Sequence, residues 1–532
     1  MLEWTRKDDG HPDHPMSDPA SAAKLLAEMR GADPLAALEE LRGRVDAVAR
    51  APSEDEKVRG EVLSLIHDAS RAHMGALVAQ FLALAAGKQA MPESSWSALD
   101  NFLRALTGAL CASARVLLKQ AATNPELQLA AAAGAAGGLH ACRTLAKLCL
   151  LRYLSVPPKL WRLAYAVHGE AEKADCAATP VRIYPGQKTS TTATQELLRL
   201  LMLQASAPEL MAPEQIELAD RVLEELGGEF TLRPRGAADS VFCFDPESDQ
   251  PPRRAIAGTA EPGTEARYFG VGMALDTLER LHKQLATARS ADVKAFGKDI
   301  APHAQLSAIL HLLSFWGERS PYSPPERSSA TGTLRVIAGY GPIWQHLSSA
   351  QTASSELTLV EDGDGAPAAP EAWVLKDVGG SELGADIPKP ASDWVQCGEV
   401  VAVSMEGSDA WWLGVIRSLH AESGRGLHGK IFIVSREPKA LQLLPQLEAG
   451  EEDVYTGEAA RQFNFRRARA IVVSDGSAGT QTANFLLAPE SWKAGRVYEA
   501  TLEGATRYLR AVQLLRQRDD YVRATFEWVA QS

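Results

Sequence analysis

The sequence predicts a multidomain α+β protein: a helical N-terminal region of stacked helical hairpins, then an antiparallel β-barrel, then a second small β module. Three observations carry this. Apolar residues recur three and four apart up to about residue 320. From Thr333 onward, short β-branched and aromatic runs alternate with turn residues. The 532 residues exceed what one core holds, since domains usually span roughly 100–200 residues.

The helices are predicted in order. Asp33-Pro34 opens one, with proline suited to the first turn. Ser53 opens another with a capping-box pattern, SEDE, that ends near Gly87. Ser94 or Ser95 caps a third, and Asn124-Pro125 breaks and restarts the chain. The Ala- and Gly-rich stretch Leu127–Leu154 contains His140, Arg143, Lys147 and Arg152. A membrane span needs about 20 strongly apolar residues without such charges, so a close-packed helix is expected here. Amphipathic helices follow over 159–173, 194–206, 213–226, 273–288 and 304–315, with short strand-like pieces EFTLRP and SVFCFDP among them.

The β half contains TLRVIAG, SELTLV, AWVLKDV, EVVAVSM, WWLGVIRSL, KIFIVS, RAIVV, ANFLLA, RVYEATL and ATFEWV. Strands this close together predict one or two antiparallel barrels, with LEAGEED (447–453) as a joint between modules. The expected division is a disordered tail over 1–17, a helical domain over 18–175, a mixed and mainly helical domain with a linker over 176–328, a barrel over 329–446 and a β module over 453–532.

The net charge of −12 argues against nucleic acid as the main partner. Six scattered cysteines without a CxxC pair suit buried free thiols in a reducing compartment. The polar start lacks an apolar signal core, so a cytoplasmic location is expected.

Catalytic patterns are not evident. HExxH, GxSxG and zinc-type Cys/His spacings are absent, and no paired carboxylates are marked for acid–base work. No enzyme, metal or cofactor is therefore expected. Gly424, Gly426, Gly429 and Lys430 match a phosphate-loop spelling. A phosphate loop must open a helix, whereas Ile431–Val434 reads as a strand, so a hairpin turn is predicted. Of Trp411 and Trp412, one ring should face inward, and the other is expected to pack against the helical region or the next module, or else to stand exposed as a partner-binding aromatic. Arg461, Arg466, Arg467 and Arg469 read as charge protecting an edge strand, or as an anion site facing Asp475-Gly-Ser477.

Gly398-Glu-Val-Val-Ala-Val403 followed by Trp412-Leu-Gly414-Val-Ile-Arg417 resembles the PilZ domain, a bacterial β-barrel that senses cyclic di-GMP. The family's Asp/Asn-x-Ser-x-x-Gly turn has an altered counterpart in Asp377, Ser381 and Gly384. Segments between 155 and 445 also resemble long proteobacterial proteins with a helical region ahead of a PilZ-like barrel. The resemblance implies a PilZ-like barrel and a non-enzymatic effector whose ligand, cyclic di-GMP, contacts Arg319, Arg327, Asp377, Ser381 and Gly384. It further implies that binding is coupled to a protein partner. This chain departs from the family's Arg-x-x-x-Arg pattern: Ser323 stands four residues after Arg319, and Arg327 eight after. The alternative reading is a ligand-free adaptor that uses the helical region and a degenerate barrel for protein–protein contact. Convergence of Arg319, Arg327 and Asp377 on one open surface would favour sensing.

Overall fold

The computed structural model describes residues 16, 18–51, 55–237, 240–255, 266–287, 300–318, 327–353, 369–389, 395–422, 426–446, 467–474, 482–502 and 505–529. A helical N-terminal region is followed by two closed six-stranded antiparallel barrels. The chain divides into two compact units, one of residues 1–300 and 308–322, the other of 301–307 and 323–532.

The first unit begins with α1 (Pro19–Ala27), α2 (Pro34–Arg50), α3 (Glu56–Ala86), α4 (Glu93–Ala121), α5 (Gln128–Leu151) and α6 (Pro158–Lys173). It continues with α7 (Ala193–Ala205), α8 (Pro213–Leu226) and α9 (Ala274–Thr287). Side-chain caps fix several starts. Asp33 accepts from the amides of Leu35 and Ala36, both at 3.1 Å, with Pro34 at the first turn. Asp55 caps α3 through the Lys57 amide at 2.9 Å; Ser53 lies outside the described residues. Thr192 and Gln195 form a reciprocal capping box on α7.

Helix α5 is the centre of this unit and packs against α4, α6, α7 and α8. Its small residues allow that. Ala131, Ala132, Ala135, Ala136, Gly137 and Gly138 are all buried. A Cβ at Gly138 would stand 3.1 Å from Cys111 Sγ and 3.5 Å from its Cα, so the α4 backbone passes directly over this glycine. The Cys111 and Cys142 thiols touch at 3.7 Å, and all six cysteines are buried and free. A short sheet completes the unit: β1 (Thr231–Arg233), β2 (Phe242–Phe244), β3 (Arg253–Arg254) and β4 (Arg267–Gly270), in the order β1-β4-β2-β3. Its aromatic face stacks on α6, with Phe244 4.8 Å from Tyr165 between ring centroids.

Helix α10 (Pro302–Trp316) precedes β5 (Arg327–Ala338). The first barrel joins β5 to β6 (Glu371–Gly379), β7 (Glu382–Ile387), β8 (Val400–Met405), β9 (Trp412–Glu422) and β10 (Gly426–Ser435), closing in the order β10-β7-β6-β5-β8-β9. Alternation is clear on β10: Leu427, Gly429, Ile431 and Ile433 are buried, while the residues between them face the other way. The second barrel joins β11 (Lys439–Pro445), β12 (Ala468–Ser474), β13 (Thr482–Leu487), β14 (Val497–Leu502), β15 (Ala505–Gln517) and β16 (Val522–Val529), closing as β11-β12-β13-β16-β15-β14. Helix α11 (Tyr340–Ala353) packs on β5, β8, β11 and β12. Its Tyr340, Ile343, Trp344 and Leu347 share one apolar cluster with Val400 and Leu413 of the first barrel and Ile471, Val473 and Tyr521 of the second.

Several expectations change. The second barrel includes β11, which precedes the expected joint at 447–453; that joint and SELTLV lie outside the described residues. Strand β12 is no edge, because ring closure pairs it on both sides. Arg469 lies instead over the Trp344 ring at 4.9 Å, and Arg467 donates to Gln442 at 3.0 Å; Arg461, Arg466 and Asp475–Ser477 lie outside the described residues. The Gly426–Lys430 stretch runs within β10, paired to β9, as a hairpin requires. Trp411 packs on the α11 cluster with the His346 ring 4.5 Å away.

Valine at Gly138 must push α4 away from α5. Overpacking of this kind costs ~1–3 kcal/mol. Gly138→Val is expected to lower the thermal midpoint of the first unit by several degrees, read by circular dichroism at 222 nm, whereas Gly43→Ala, where a Cβ meets nothing within 4 Å, is expected to leave it unchanged or raise it.

Candidate functional site

Two places concentrate polar chemistry. One is an end and adjoining face of the first barrel, where the sequence places the candidate ligand residues. The other is a buried ion network in the helical unit.

Strand pairing assembles the barrel site. Arg327, the first residue of β5, pairs with Gly379, the last of β6, and Ser329 pairs with Asp377. Asp377 in turn pairs with Gly384 on β7, and Gly384 pairs with Lys430 on β10. The backbones of Arg327, Asp377, Ser381 and Gly384 therefore meet around one turn; Arg319 lies outside the described residues. Ser381 is exposed in the β6–β7 turn, and its carbonyl accepts from the Ile433 amide at 2.8 Å.

The side chains show why aspartate and glycine face each other. The Asp377 carboxylate lies across Gly384, where any Cβ would collide with it. Lys430 Nζ reaches that carboxylate at 2.6 Å, and both side chains are largely covered. Beside them Asp386 meets His428 Nδ1 at 2.9 Å and Lys376 Nζ at 3.0 Å. Burial alone would raise the Asp386 carboxyl, but His428 and Lys376 outweigh it and hold the group below its ordinary value. Glu382, buried at the start of β7, takes Arg417 at 3.0 Å. The sequence reading missed Lys430 as a partner of Asp377. The signal was present: Lys430 is the one basic residue interrupting the β10 run from Gly429 to Val434, on the face opposite Ile431 and Ile433.

The helical network is built on α5. His140, Arg143 and Lys147 recur at helical spacing and face acidic residues of α7 and α8. The Arg143 side chain is 2% exposed and lies 2.9 Å from Asp220, 2.7 Å from Glu224 and 3.9 Å from Glu196. Its approach to Asp220 is an ion pair without hydrogen-bond alignment. Lys147 bridges Glu217 at 2.9 Å and Asp220 at 2.7 Å. Glu196 also accepts from His140 at 3.1 Å and from the Thr191 hydroxyl at 2.8 Å, and pairs with Arg199. Burial would raise Glu196, yet the hydrogen bond from His140 and the charges of His140, Arg143 and Arg199 hold it far below its ordinary range. The charges answer one another across three helices, which is how a structural clamp is built. Among the described residues, no group of three or more His, Cys, Asp or Glu could hold a metal ion, and no helix is long and apolar enough to cross a membrane.

Two predictions follow the buried groups. Arg143→Leu removes a buried cation from Asp220 and from the edge of Glu196, which keep Lys147 and Arg199 respectively, and breaking such a pair from one side costs about 3–5 kcal/mol. The denaturant midpoint of the first unit is expected to fall accordingly. His168 on α6 is held down to about 4 by burial and then by Arg267. Unfolded imidazole gains its proton below 6.5, while the folded group stays neutral. Stability therefore falls as pH drops through that window, by up to about 2 kcal/mol between pH 6.5 and 5. Urea titrations at the two pH values check this, and His168→Gln is expected to reduce the difference.

Residues 20–236 of the 532 match the family described as "Cyclic-di-GMP receptor FimW, N-terminal domain". No curated protein and no solved structure matches the chain. The helical unit is thus similar to the N-terminal domain of a cyclic-di-GMP receptor, and the two six-stranded barrels that follow are consistent with the PilZ-like architecture.

Proposed function

We propose that the chain is a non-enzymatic cyclic-di-GMP effector whose ligand binds at the end of the first barrel where β5 begins and β6 turns into β7. The observation that carries this reading is the likeness of residues 20–236 to the N-terminal domain of a cyclic-di-GMP receptor, found in one chain with the barrels. The strand register supports the location. It puts Arg327, at the end of the segment that begins with Arg319, across from the turn carrying Asp377, Ser381 and Gly384. Two phosphodiester anions and two guanine bases need guanidinium forks and polar turn groups, which these residues offer. Binding there biases the barrel between two arrangements, and a protein partner reads the difference. The work is cytoplasmic in this reading.

One observation favours the ligand-free adaptor. The Asp377 carboxylate is already engaged by Lys430 at 2.6 Å and fills the space over Gly384, so the altered turn is internally satisfied. In that reading the barrel is a docking surface only.

Isothermal calorimetry of the full chain with cyclic di-GMP separates the two. The effector reading expects saturable heat and a raised thermal midpoint, with Arg319→Ala or Arg327→Ala weakening binding about tenfold or more, the scale of one charge-assisted contact. Absence of heat and of any thermal shift at high micromolar nucleotide would leave only the adaptor.

A further inference from the structure

We infer that Arg436, stacked on Trp412 beside the β6–β7 turn, supplies a guanidinium fork of the ligand site. This rests on the effector reading and deepens it by naming a ligand contact outside the segment and turn discussed so far.

Arg436 follows directly on β10, and Trp412 opens β9. The guanidinium carbon lies 4.7 Å from the Trp412 ring centroid. Its Nη2 donates to the Gly380 carbonyl at 3.1 Å, inside the β6–β7 turn. Gly380 is one residue from Gly379, which pairs with Arg327, and one from Ser381. The side chain thus spans from β9 to the turn, at the same barrel end as the start of β5.

The chemistry of that position is a ligand's rather than a core's. Arg436 and the turn residues Gly380 and Ser381 are exposed, and Trp412 is half-buried. No carboxylate among the described residues forms an ion pair with Arg436, in contrast with Arg417, which pairs with Glu382 beside it. One of the five guanidinium N–H groups is used on Gly380, and among the described residues no other acceptor takes the remaining donors. The guanidinium lies over the indole face, and that contact together with the Gly380 hydrogen bond restricts the side chain before a ligand arrives. A flat fork with spare donors suits a phosphodiester oxygen pair or the O6/N7 edge of guanine, and its outer face suits base stacking. Cyclic di-GMP presents all three. A lysine at this position would keep the charge and lose the fork.

The test is calorimetric titration of cyclic di-GMP into the full chain and into Arg436→Ala and Arg436→Lys, with thermal unfolding of each in the absence of nucleotide. The inference expects Arg436→Ala to weaken binding about tenfold or more and Arg436→Lys to recover only part of it. The unfolding midpoints should stay together, because an exposed side chain with one hydrogen bond contributes little to stability. If Arg436→Ala shifts the midpoint, Arg436→Gln, which keeps a donor for Gly380, carries the same comparison. Binding by Arg436→Ala within twofold of the unaltered chain overturns this inference and leaves the effector reading standing. Absence of binding by the unaltered chain overturns both.

Discussion

A guanidinium that is 2% exposed cannot remain charged in a protein interior unless carboxylates come to it, and Arg143 imposes that demand on the helical unit. Helix α5 is otherwise alanine, glycine, leucine and cysteine, and could pack against any apolar surface. Arg143 and Lys147 remove that freedom. Only a neighbour offering Glu196, and another offering Glu217, Asp220 and Glu224, satisfies them, so α7 and α8 have fixed places and fixed rotations. The opposite face solves a different problem with small residues. Gly134 and Gly138 let α4 approach until backbone meets backbone. Electrostatics orients one side of α5 and close packing the other.

The barrels use a different device. Closing six strands into a ring removes edges, so neither barrel presents an unpaired strand inside its own sheet. Helix α11 then joins them. Trp344 donates to the Leu441 carbonyl at 3.0 Å, and Tyr521 donates to the Gly398 carbonyl at 2.9 Å, from a cluster drawn from both barrels. What is left over at one end of the first barrel is polar: the β6–β7 turn, the start of β5 and the Arg436–Trp412 stack.

The legible part of the sequence was the part governed by local rules. Proline and aspartate at Asp33-Pro34 marked a helix start, and the strand after Gly429-Lys430 excluded a phosphate loop. Period-two runs found most strands of both barrels. The rules failed where tertiary context outweighed local preference. TRYLRAVQLLRQ is missing from the predicted strand runs because two register shifts break its alternation, yet ring closure makes it β15, the partner of both β14 and β16. YGPIWQHL sits between strand-like runs, yet its apolar residues cover two barrels as α11. The site was half legible. Asp377, Ser381 and Gly384 could be found by resemblance, but Lys430 and Arg436 reach them only through strand pairing and a loop, across more than 45 residues of sequence.

The central claim is that signal recognition belongs to one end of the first barrel. Hydrogen–deuterium exchange of the full chain, with and without cyclic di-GMP, tests it most directly. The account predicts slower exchange at the amides of Asp377–Gly384 and around Arg436, on β6, β7 and the end of β10. Protection confined to residues 20–236, or no protection anywhere at saturating nucleotide, would contradict it.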